Sequence, residues 1–199
     1  MSALSRRAFL IGVGEALGVA ALELSWPDIA AAAMEAGAVA KDPAGATTLL
    51  AAADAADVEA IAAQIIPSGA TPGAREAGVV HFIDRALATF FSRLSTEFHA
   101  QLVEFQAACR ASNPDVASFA ALSSQRQIEF LRTVEQTPFF DRMRLFTLLG
   151  MFSAPMYGGN HESAGWQLIG FEDRHAFEPP FGYYDRDYPG FIVEPGKPA

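Results

Sequence analysis

The sequence predicts an all-α protein, a compact bundle of about five helices with a long irregular C-terminal extension. Apolar residues recur at helical spacing in successive segments between residues 49 and 153. Proline, glycine or asparagine interrupts the pattern between most segments, and Ser, Thr or Asp stands where several helices start. From Pro155 onward the helical period is lost, and prolines and aromatic residues interleave towards the C-terminus.

Asp54 or Asp57 can cap the first helix, which carries Val58, Ile61, Ile65 and Ile66 and stops at Pro67-Ser68-Gly69. Thr71-Pro72-Gly73 turns into a second helix over residues 74–91, with Val79, Val80, Phe82, Ile83, Leu87 and Phe90-Phe91 inward. A third, over residues 95–111, aligns Phe98, Leu102, Phe105 and Cys109, and Asn113-Pro114 breaks it. Ser123 caps a fourth, with Gln127 near the place of a capping-box partner and Ile128, Leu131 and Val134 inward. Thr137-Pro138 opens a fifth, where proline is favourable as the first helical residue. Its inward face is Phe139, Met143, Phe146, Leu149 and Met151-Phe152. The run Met156-Tyr157-Gly158-Gly159-Asn160 is read as non-helical, and residues 166–171 as a short turn or strand. Residues 178–199 place Phe181, Tyr183, Tyr184, Tyr188 and Phe191 among five prolines. Those rings need cover, on the chain's own helices or on a second protein.

With 199 residues, 51% of them hydrophobic, the chain can bury the core of one domain. A net charge of −9 argues against nucleic-acid binding and against a polybasic membrane-surface module. Cys109 is the single cysteine, which excludes an intrachain disulfide and a thiolate metal cluster within the chain. No apolar run is long and charge-free enough for a membrane span.

Residues 1–33 read as an export signal. Ser5-Arg6-Arg7-Ala8-Phe9-Leu10 resembles a twin-arginine motif, followed by a mildly apolar stretch and an alanine run. Gly12, Gly14 and Gly18 imitate a dinucleotide fingerprint, but the spacing is wrong and no βαβ unit surrounds them. Residues 34–48 read as a linker, 49–153 as the helical domain, and 154–199 as an irregular interface segment and tail.

Few residues suggest chemistry. His81 and Asp84 lie three apart on one helix, but His81 sits beside an apolar face and reads as a structural histidine. His99 belongs to a solvent face. The four histidines (His81, His99, His161 and His175) form no metal-ligand spacing, and no nucleophile elbow occurs. Asp84, Glu104, Glu129 and Asp141 are spaced like solvated or capping acids. Cys109 reads as a small buried hydrophobe. The chain therefore offers no catalytic, cofactor-binding or metal residues of its own. Gly158-Gly159-Asn160 tolerates positive φ and would let another backbone come close. Twin-arginine export carries folded proteins, often cofactor-loaded, yet this chain has no flavin, haem, nickel or iron–sulfur motif. The signal would then also serve a partner that crosses while bound.

Arg6-Arg7, Ile65-Ile66-Pro67, Thr71-Pro72-Gly73-Ala74, Phe82-Ile83-Asp84, Leu122-Ser123 and Phe130-Leu131 form part of a wider pattern. Its most specific part is Ser153-Ala154-Pro155-Met156-Tyr157-Gly158-Gly159-Asn160, then Gly165-Trp166 and Ile169-Gly170-Phe171. This pattern, over roughly residues 48–172, resembles the subunit 3 family of gluconate 2-dehydrogenase-type complexes. It departs from the family after Phe171, with Glu172-Asp173 where Pro-Gly is common.

The resemblance implies a non-catalytic small subunit that escorts a catalytic partner through maturation and twin-arginine export. The implied partner is a glucose–methanol–choline-type flavoprotein that holds FAD and oxidises a sugar, sugar acid or polyol. A cytochrome c subunit is a further implied partner, with haem c or an iron–sulfur cluster in partner subunits, and the twin-arginine translocase handles export. The implied location is the periplasm, with membrane association through the complex. The expected partner interface is Pro155, Tyr157, Gly158, Gly159, Asn160, Gly165, Trp166 and Phe171, extended by the tail. The alternatives are a free-standing exported protein that binds carbohydrate or protein, and an enzyme assembled from His81, Asp84, His161 and His175.

Overall fold

The computed structural model describes residues 47–174. The export-signal residues Ser5, Arg6, Arg7, Phe9 and Leu10, the linker up to residue 46, His175 and the aromatic tail lie outside the described residues. Among the described residues there are six α-helices and no strand: α1 (Ala52–Ile65), α2 (Val79–Ala88), α3 (Ser92–Ser112), α4 (Ser124–Val134), α5 (Pro138–Phe152) and α6 (Ala164–Ile169). Short 3-10 turns cover Phe119–Ala121, Pro155–Tyr157 and His161–Ser163. The all-α bundle expected from the sequence is present, with one helix more than the five periodic segments.

Helices α2 and α5 form the central pair. Helix α1 packs on both, α3 lies against α2 and α5, α4 lies against α1, and α6 closes on α5. The core is rich in phenylalanine. Phe91 stacks on Phe146 with centroids 5.3 Å apart, and Phe98 bridges Phe146 and Phe139. Phe105 then meets Phe119, Phe130 and Phe139, each at 5.2–5.3 Å. Aromatic pairs at such distances add about 0.5–1.5 kcal/mol each beyond the area they bury. The expected stripe of α3 is the observed one: Phe98, Leu102, Phe105 and Cys109 are buried.

The helix starts are partly as the sequence suggests. Ser123 Oγ accepts from the Arg126 amide, and Thr137 Oγ1 accepts from the Phe140 amide in front of Pro138. Three expectations change. Helix α1 begins at Ala52 behind Ala51, which offers no side-chain cap, so neither Asp54 nor Asp57 is its cap. Asp57 instead lies buried inside the helix, where its carboxylate accepts from the Ala120 amide and Gln106 Nε2. Gln127 is not a capping-box partner, because it falls one residue beyond that position and faces the core. There Gln127 donates to the Phe119 carbonyl and accepts from Gln64. The deepest apolar residues of α4 are accordingly Phe130 and Leu131, with Ile128 and Val134 partly buried.

The second helix is also shorter than its apolar pattern. Gly78 adopts φ +65°, a left-handed conformation open to glycine, and residues 74–78 form a turn in front of Val79. At the other end Thr89 leaves helical geometry and its hydroxyl donates to the Arg85 carbonyl. Residues 166–171, expected as a turn or strand, contain the larger part of α6.

Candidate functional site

The segment that follows α5 is built on close backbone approach. Gly150 lies inside α5, where an added Cβ would meet Val79 and Phe82, so α2 sits tightly against α5 there. The chain leaves α5 at Ser153, makes the Pro155–Tyr157 turn, and reverses at Gly158 with φ +97°. Gly159 is buried, and a Cβ on it would overlap the Gly150 carbonyl oxygen. The Asn160 amide donates to that same carbonyl at 2.7 Å.

Asn160 is the centre of the segment. It is fully buried and holds φ +47°, which asparagine tolerates better than most residues. Its Nδ2 donates to the Ser153 carbonyl at 2.9 Å, and its Oδ1 accepts from the Gly165 amide at 2.8 Å. One side chain thus satisfies a carbonyl at the end of α5 and an amide in the first turn of α6. Ser163, which precedes α6, makes no side-chain cap. Gly165 presses α6 onto α5, since a Cβ there would overlap the Met151 carbonyl oxygen. Trp166 Nε1 donates to the Phe152 carbonyl at 2.8 Å, and its ring meets Phe171 edge-on at 5.0 Å. The His161 amide donates to the Ala77 carbonyl, which ties the segment to the entry of α2.

The expected interface residues therefore occupy three kinds of place. Gly159, Asn160 and Gly165 are buried within the chain itself. Pro155, Tyr157, Gly158 and Trp166 are half-buried, with Tyr157 against Phe90 and Gly158 against the Arg85 guanidinium. Phe171 is exposed. Sequence reasoning missed their exposed neighbours Met156, Leu168 and Ile169, the last at 60%. Four of the seven large exposed apolar side chains among the described residues lie between 156 and 171, which concentrates the apolar surface there. The signal for two of them was the Leu168-Ile169 pair after Trp166, legible once the segment is read as a helix.

A family model described as gluconate 2-dehydrogenase subunit 3 matches residues 52–173. The chain belongs to the gluconate 2-dehydrogenase subunit 3 family. Comparisons with curated proteins and with solved structures return no match. The matched region takes in the whole of the bundle and all of the α5–α6 junction.

Some of the other polar residues of this subunit 3 family member are engaged in the fold, and others are exposed. Asp84, read from sequence as a solvated or capping acid, is buried and caps a distant segment. Its two oxygens accept from the amides of Thr48, Leu49 and Leu50 and from the Thr48 hydroxyl, at 2.7–3.0 Å. Glu104, Glu129 and Asp141 are exposed. His81 is half-buried, and both it and His161 border Gly78. Burial, then the Arg85 charge, hold the His81 imidazole below its usual range, and His161 pushes the same way. His99 is exposed, and Cys109 is buried with its thiol pushed up, first by burial and then by Asp57. Among the described residues no three His, Cys, Asp or Glu side chains gather to hold a metal ion. No helix among them is long and apolar enough to cross a membrane.

Proposed function

We propose that this chain is the non-catalytic small subunit of a flavin-dependent dehydrogenase complex that oxidises a sugar, sugar acid or polyol. Its partner is a catalytic subunit of the glucose–methanol–choline type, which holds FAD. Where the complex includes a cytochrome c subunit, that subunit takes the electrons onward. The small subunit escorts the flavoprotein: it binds the folded, cofactor-loaded form, stabilises it by mass action, and lends it the Arg6-Arg7 signal for the twin-arginine translocase. The complex then works in the periplasm at the membrane.

Membership of a family named for a dehydrogenase subunit supports this reading. The observation that carries it to particular residues is the apolar concentration on and around α6. Exposed apolar clusters on a soluble domain mark surfaces that meet another molecule. Met156, Leu168, Ile169 and Phe171 supply that surface, with Tyr157 and Trp166 half-buried behind it. Gly159, Asn160 and Gly165 hold it in place.

The test is recovery of the full chain, tagged at its C-terminus, from periplasmic and envelope fractions, with co-purifying chains identified by mass. A large partner with flavin absorbance is expected, and haem bands would add the cytochrome. A lone, colourless protein, under conditions where a known complex survives, would contradict the proposal.

A further inference from the structure

We infer that Asp84 is a clasp, which seats residues 48–50 on the folded bundle and shields them from cleavage. The carboxylate lies on α2 and is buried, at 2% exposure. Among the described residues its four hydrogen bonds go to one short segment 34 to 36 residues upstream. Oδ2 accepts from the Thr48 amide at 2.7 Å and the Thr48 hydroxyl at 3.0 Å. Oδ1 accepts from the Leu49 amide at 2.9 Å and the Leu50 amide at 2.7 Å. Three consecutive amides on one carboxylate fasten the segment that leads into α1 to α2. The junction is fastened further by Thr47, whose hydroxyl donates to the Leu50 carbonyl, and by Leu50, which is buried in the core.

The clasp has a consequence for processing. The acceptor exists in this position only when α2 is packed, so the junction is held only on a folded bundle. A protease needs several extended residues around the bond it cuts, and residues 48–50 cannot extend while their amides are bound. Digestion of the folded chain should therefore leave residues 48–50 attached to α1. This inference is independent of the escort function, since it concerns only the isolated chain.

The experiment is limited digestion of the purified full-length chain with proteinase K, with the N-terminus of the resistant core read by mass. The wild type is expected to yield a core that retains residues 48–50. Asp84→Ala removes every acceptor of the clasp. Its core should begin inside or beyond α1, with cleavage between residues 48 and 55 at least about tenfold faster. Thr48→Pro removes one amide and the hydroxyl while leaving α2 untouched, and covers the case in which Asp84→Ala fails to fold. It should give the same shift in smaller degree. A wild-type core that starts beyond residue 52 would overturn the inference. So would an unchanged start and rate in the folded variants.

Discussion

Replacing Asn160 with alanine should cost the bundle about 4 kcal/mol. The side chain is fully buried and serves two groups, the Gly165 amide at 2.8 Å and the Ser153 carbonyl at 2.9 Å. Alanine leaves the buried Gly165 amide and the partly buried Ser153 carbonyl without this partner, at roughly 1–3 kcal/mol for each. It must also hold φ +47°, which costs alanine roughly 1 kcal/mol more than asparagine. A bundle of this size has roughly 5–15 kcal/mol in total, so the folded-to-unfolded ratio should drop roughly a thousandfold. Urea unfolding followed by far-ultraviolet circular dichroism should show the midpoint fall by about 2 M, at a slope of about 2 kcal/mol per M. Asn160→Gly separates the two causes. It should recover about 1 kcal/mol of the loss, because glycine takes positive φ freely, and the hydrogen bonds stay lost. An alanine variant within 1 kcal/mol of the wild type would refute the reasoning, and so would a glycine variant less stable than the alanine one.

Gly165→Ala should destabilise the bundle by about 3 kcal/mol, because the new methyl group overlaps the rigid Met151 carbonyl and α6 must lift from α5; thermal unfolding would measure it. Stability should also fall as the solution is acidified from about pH 6.5, the ordinary histidine value. His81 is held neutral in the fold and protonates more readily when unfolded, so acid favours the unfolded chain until the folded form also takes up its proton. His81→Gln should flatten that part of the stability–pH profile, and an unchanged slope would show that His81 does not contribute.

The five long helices were legible because each is long enough to repeat its apolar spacing, as Phe98, Leu102, Phe105 and Cys109 do along α3. Helix α6 was not. It has six residues, too few to display a period, and Gly165 and Gly170 imitate chain breakers. Gly165 is there because α5 lies against it, a fact set by tertiary packing. The Gly158-Gly159-Asn160 turn was legible as a place of close backbone approach, and the backbone that approaches within the bundle is α5 at Gly150. Which backbone it would be depends on a contact with another helix, which local sequence does not encode. Asp84 and Asp57 share that property. Each looked like a local cap or a solvated acid, and each instead caps amides 34 to 63 residues away. Gln127 looks like a local partner of Ser123 for the same reason, whereas its partners lie in α1 and the Phe119–Ala121 turn.

The exposed face of α6 can be separated from the residues that hold it. Leu168, Ile169 and Phe171 contribute little to the core, so their joint replacement by serine should leave the unfolding midpoint close to that of the wild type. The same variant should lose its partner if this face docks on the catalytic subunit, since apolar anchors at interface centres cost about 2 kcal/mol or more when removed. The most direct measurement is therefore the recovery of flavin-bearing partner by the tagged triple variant, beside the wild type from the same cells. The account predicts at least roughly thirtyfold weaker binding of the partner by a variant that is still folded. Equal recovery of the flavoprotein by both chains would contradict it.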